Sequence, residues 1–123
     1  MKIVEINTDC LKDQYIMFDN GEMLSYYHEQ DCCENVYADF KGMQVMGVQP
    51  ENFVYAYELD FFENVLDSIV PIEGLGFYLV SKQGICILVP CYNIQNGYYS
   101  SNISLLYKGK ELDISECTKD VFE

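Results

Sequence analysis

The order of apolar and polar positions divides the chain into short β segments. "KIVEI" at residues 2–6 alternates in the manner of a half-buried strand. In "QYIMFDNGEMLSYYH" two β-type runs flank Asp19-Asn20-Gly21, and an Asn-Gly pair between such runs predicts a hairpin over 12–28. "NVYADF" at 35–40 is again β-rich, whereas the following "KGMQVMGVQPENF" is punctuated by Gly42, Gly47 and Pro50. Farther on, "GFYLVS" and "ICILVPCYN" surround Lys82-Gln83-Gly84, and "SNISLLY" and "ELDIS" surround Lys108-Gly109-Lys110. That arrangement reads as a four-stranded meander. Pro90 has no N–H to give to a ladder, so its strand is expected to end, bulge or lie at an edge there.

One stretch has helical spacing instead. In "ELDFFENVLDSIVP", Phe62, Val65, Leu66 and Ile69 recur at three- and four-residue intervals, Asp60, Glu63, Asn64 and Asp67 fall on the opposite face, and Pro71 closes the run. The pattern predicts one main helix over 60–70, packed with a curled antiparallel sheet of hairpins in an α+β fold. With 123 residues, half of them apolar, and neither internal repeat nor linker, the chain is expected to form a single domain over 1–123.

Charge narrows the functional classes. Twenty acids stand against seven lysines, arginine is absent, and the formal net charge is −13. A phosphate-binding surface needs a basic face, so direct nucleic-acid binding is not expected. Between Lys12 and Lys82 only Lys41 interrupts a long acidic region. Such a field keeps a protein soluble and also steers it toward a cationic partner. The acidic stripe Asp60, Glu63 and Asp67 on the predicted helix is therefore either a solvated face or a partner contact, and it is the candidate partner-binding set. No apolar run approaches the roughly 20 residues of a membrane helix, and the N-terminus lacks a signal-peptide h-region, so a cytosolic, monomeric protein is expected.

In a reducing compartment the six cysteines are core fillers, metal ligands or nucleophiles, rather than a disulfide framework. The sole histidine precedes a Cys-Cys pair in "HEQDCCENVY". His28, Cys32 and Cys33 could supply three ligands to a tetrahedral Zn2+, provided that the segment bends. Extended, residues 28 and 32 would lie roughly 13 Å apart. The alternative is a set of reduced, buried thiols beside a hydrogen-bonded histidine. A Cys-His catalytic pair is a third reading, opposed by the surrounding negative charge, which raises a thiol's pKa. "IQNGYYSS" at 94–101 combines an Asn-Gly turn with paired tyrosines suited to a core edge or a contact surface.

"YYHEQDCCENVY" followed about sixty residues later by "NGYYS" resembles a small domain family of unknown function found in phages and prophages. His28, Asp31, Cys32, Cys33 and Glu34 fall on the family's string, whereas Cys10, Cys86, Cys91 and Cys117 do not. The resemblance implies a phage accessory role. It also extends to zinc-containing anti-CRISPR inhibitors of type II CRISPR effector nucleases, which implies a structural Zn2+ at His28, Cys32 and Cys33. The implied partner is a basic host protein whose nucleic-acid channel the carboxylates would block. A morphogenesis component, and a metal- or thiol-dependent enzyme, are the competing expectations.

Overall fold

A computed structural model of the chain describes residues 1–7, 14–27, 35–46, 53–94 and 102–121. Within them eleven strands are β1 (Ile3–Asn7), β2 (Tyr15–Phe18), β3 (Met23–Tyr27), β4 (Asn35–Ala38), β5 (Gln44–Val45), β6 (Ile69–Ile72), β7 (Gly76–Val80), β8 (Cys86–Ile94), β9 (Ile103–Tyr107), β10 (Lys110–Ile114) and β11 (Lys119–Val121). They form a five-stranded sheet, β1-β2-β3-β9-β10, and a six-stranded sheet centred on β8. All pairings are antiparallel except β11 with β8. The fold is a two-sheet β architecture, so the α+β expectation is wrong.

The missing helix has a local cause. Between 60 and 72 the chain makes a single 3-10 turn, Val65–Ser68, and then enters β6. Pro71 lies inside that strand and biases Val70 toward extended backbone, and β-branched Ile69 and Val70 favour the same conformation. Of the expected apolar face, Val65 and Ile69 are buried, but Phe62 is 46% exposed and its neighbour Phe61 is buried in its place, so the segment does not keep a helical face. Among the described residues the longest helical element is the six-residue 3-10 segment Phe53–Glu58. None is long and apolar enough to cross a membrane.

The hairpins are largely where alternation put them. β2 and β3 are joined by a three-residue loop, with Gly21 N–H donating to Phe18 O and Phe18 N–H to Glu22 O, each at 2.9 Å. Gly21 takes the left-handed conformation, φ 84°, that ends a type I turn in this loop class. β9 and β10 close through Lys108 and Gly109, both at positive φ. The meander is absent, because β7 and β8 belong to one sheet and β9 and β10 to the other.

Inner faces of both sheets meet in one core. Ile16, Phe18, Leu24, Ile103, Leu105 and Tyr107 come from the first; Phe77, Leu79, Ile87, Val89 and Cys91 come from the second. Phe18 stands edge-on to Phe61 and to Tyr107, ring centroids 6.0 Å apart in each pair. Tyr26 on β3 meets Phe40 beside β4 in the same way at 5.9 Å. Burying such rings contributes about 1.5–3 kcal/mol each, and edge-on pairing adds to it.

Pro90 does not end its strand. β8 runs through it, and the neighbouring edge breaks instead. Asp39 N–H donates to Pro90 O, while Cys91 N–H donates to Leu75 O on the opposite side. β4 and β5 thus share one edge of β8, separated by the 3-10 turn Phe40–Gly42 opposite the proline. Across β8 from that turn, Pro90 is in register with Gly76. A Cβ on Gly76 would lie 2.1 Å from Val89 O, so this approach of backbones requires glycine.

Candidate functional site

Because one face of each strand is committed to the core, the other is left to solvent, and strand register decides what assembles there. On the first sheet three rows result. Glu5, Met17 and Met23 lie in the first row. Tyr15, Ser25, Leu106 and Glu111 form the second, and Tyr27, Ser104 and Asp113 the third. The centre is methionine, tyrosine and leucine, with Met23 45% and Tyr27 58% exposed. Carboxylates occupy both margins, Glu5 on β1 and Glu111 with Asp113 on β10. Among the described residues no lysine falls in these rows.

Neutral groups hold several of the carboxylates. Tyr15 Oη donates to Glu5 at 3.4 Å, Ser104 Oγ to Asp113 at 2.6 Å, Asn93 Nδ2 to Asp120 at 3.3 Å and Gly42 N–H to Asp39 at 3.1 Å. Partial desolvation, then the Glu5 carboxylate, lift the Tyr15 phenol above its ordinary range. Such donors orient a carboxylate without neutralising it. Among pairs of described residues, Asp60 alone is matched by cations, the Met1 amine at 2.5 Å and Lys82 Nζ at 3.7 Å. The hydrogen bond from the amine is the main cause that holds its carboxyl below the usual range.

The outer face of the second sheet differs. Val70, Tyr78, Leu88 and Gln44 lie in one row, and Tyr37, Tyr92 and Lys119 in another. The Tyr37 and Tyr92 rings are 5.5 Å apart. Between the rows, around Pro90 and Gly42, is an open depression of about 200 Å³. Ligand pockets for drug-sized molecules start at roughly 300 Å³, so this notch is small for one.

Of the described thiols, Cys91 and Cys117 are core groups and Cys86 is half-buried. Cys91 is fully buried, and burial foremost, with Cys117 and Asp39 nearby, pushes its pKa far up. Burial likewise raises Cys117, and the carboxylates of Glu73 and Glu116 push it the same way. Both stay protonated near neutral pH, the reverse of an activated nucleophile.

His28, Cys32 and Cys33 lie outside the described residues, and among the described residues no group of three or more His, Cys, Asp or Glu could hold a metal ion. The flanks of the cluster are fixed. β3 ends at Tyr27 in the first sheet and β4 starts at Asn35 in the second, so 28–34 connects the sheets. Tyr27 pairs with Ser104 and Asn35 with Ile94, so the connection from β8 to β9 starts and ends beside it. Asp60, Glu63 and Asp67 do not share a helix face. Asp60 forms a β-bridge with Lys2, and exposed Glu63 and Asp67 sit on the bend and 3-10 turn that follow. The outward rows of the first sheet escaped sequence reasoning. Their alternation was visible in "YIMF", "MLSYY" and "ISLLY", but the pairing of β3 with β9 that unites them was not.

This architecture defines a two-sheet β protein that offers sheet faces to its surroundings. Residues 1–105 match a family described as a domain of unknown function, DUF7448, and the chain belongs to that family. No curated protein and no solved structure matches it.

Proposed function

We propose that this protein is a non-enzymatic, anionic binding module that occupies a basic surface of another protein. The observation that carries this reading is the uncompensated charge. Carboxylates are held in place by tyrosine, serine, asparagine and backbone donors, while Asp60 is the one matched to cations of other described residues. Fixed, unneutralised carboxylates repel nucleic acid and attract lysine- and arginine-rich surfaces over a Debye length of about 8 Å at physiological salt. Exposed Glu63 and Asp67 contribute to the same field.

The specific form of the proposal is a phage accessory inhibitor that occupies the basic channel of a type II CRISPR effector nuclease and prevents loading of target DNA. Zn2+ at His28, Cys32 and Cys33 belongs to it as a structural staple where the chain passes from β3 to β4. Guide-loaded effector, preincubated with the purified protein, is expected to lose binding of target DNA in a gel-shift titration, and to regain it as salt is raised. Unchanged DNA loading at low salt and excess protein removes the effector as partner.

A further inference from the structure

The outer face of the first sheet is more than an acidic area. Its middle is largely apolar and partly exposed, with Met23 and Tyr27 open to solvent and Met17 and Leu106 half-buried, where a sheet surface facing only water would place polar residues. Met17 and Met23 are cross-strand partners, Leu106 faces Ser25, and Tyr27 is more than half exposed. Glu5 bounds this strip on one side and Glu111 and Asp113 on the other. From β1 to β10 the face spans about 19 Å, four gaps at roughly 4.8 Å.

We propose that this face is the docking surface, and that its partner is a protein surface bearing arginines rather than lysines. The inference rests on the reading that the protein docks onto a cationic protein. Charge complementarity selects the sign, and the composition of the face selects the group. A guanidinium is planar and weakly hydrated; it stacks on a tyrosine ring while its fork takes a carboxylate. A lysine ammonium is a compact, strongly hydrated point charge, for which a partly exposed Met-Leu strip offers little. Methionine adds a polarisable surface that adapts to the stems of such side chains. On the opposite side of the molecule, Lys119 lies in the Tyr37–Tyr92 row and works against the same partner.

The test uses the 15N-labelled full chain titrated at low ionic strength with a nonamer of arginine and, separately, a nonamer of lysine. Amide shifts are expected on β2, β3, β9 and β10, with the arginine peptide bound about 3- to 5-fold tighter, as one stacked guanidinium contact at an exposed site implies. Shifts confined to Glu58–Asp67 or to the second sheet, or equal affinity for the two peptides, overturn the inference while leaving a cationic partner in place. Binding of neither peptide overturns the functional reading itself. The double variant M23S/Y27S is expected to lose the arginine preference with an unchanged melting curve. Should it fail to fold, E111Q/D113N is expected to weaken both peptides, and full affinity in that variant refutes the assignment.

Discussion

The two outward sheet faces are built from the same alternating pattern and end as different surfaces. On the first sheet the register runs uninterrupted from β2 through β3 and β9 to β10, and the outward residues line up in continuous rows. On the second, Pro90 leaves β8 without a donor at mid-strand, Gly76 lets the β7 backbone press close, and the edge opposite breaks into β4 and β5. A proline and a few glycines therefore decide whether a face is a flat platform or a notched one. The flat face carries acids at its margins, and the notched one carries Lys119. The difference teaches that an unbroken register puts Glu5, Glu111 and Asp113 at the margins of one continuous face, an arrangement suited to docking of a large cationic partner.

The contrast is broken most severely at Gly76. A methyl there meets Val89 O at 2.1 Å, and also Cys91 N at 2.9 Å, so backbone must move. Gly76→Ala is expected to cost about 3 kcal/mol or more, combining overpacking with strain at a positive φ. Urea denaturation measures the loss, and hydrogen exchange in the surviving folded fraction should rise first in β6, β7 and β8 while the first sheet keeps its protection. Equal loosening of both sheets would show that the notch is not a separable feature of the second sheet.

Next in size is a pH effect on the core side of that notch. Cys91 has an ordinary thiol value of 9.0 that burial raises. The folded state therefore retains a proton that the unfolded state gives up, and the sign follows: stability is full below about pH 9 and falls as pH rises toward the folded value. The slope from this one group approaches 1.4 kcal/mol per pH unit at its steepest. Cys91→Ala is expected to flatten the alkaline limb of the stability curve even though it lowers stability at pH 7. A variant as steep as the parent between pH 9 and 10.5 would assign the alkaline loss to other groups, buried Cys117 first among them.

Much of this was legible in the residues. Hairpins at Asp19–Gly21 and Lys108–Gly109 followed from turn chemistry, but the expectation at Pro90 failed: β8 neither ends there nor lies at an edge, and the break falls instead between β4 and β5 on the neighbouring edge. The helix over 60–70 was not there because apolar spacing of three and four also fits a 3-10 turn leading into a strand, and Pro71 settles which. The assumed acid ladder Asp60-Glu63-Asp67 lost its geometry with the helix. What could not be read was long-range pairing: nothing local joins Ser25 to Leu106 or Tyr27 to Ser104, yet those partners create the candidate face. The His28, Cys32 and Cys33 string, most visible of all in the sequence, lies outside the described residues, between Tyr27 at the end of β3 and Asn35 at the start of β4.

The smallest expected effect on stability is the sharpest on function. Glu111→Lys changes an exposed side chain at the margin of the flat face, where, among the described strands, β10 pairs with β9 alone. Exposed substitutions of this kind stay within about 0.5 kcal/mol. Placing a cation there opposes any cationic partner directly, so retention on an arginine-bearing matrix should fall at low salt. Lys119→Glu makes an equal and opposite change of charge on the notched face. If total charge were all that mattered, the first variant would weaken retention and the second would strengthen it to the same degree. Docking through the first sheet predicts a marked loss for Glu111→Lys and little change for Lys119→Glu, because only one of the two positions touches the partner and the other acts through solvent across the thickness of the molecule. Comparing the salt dependence of retention for the two variants separates a located surface from a diffuse field.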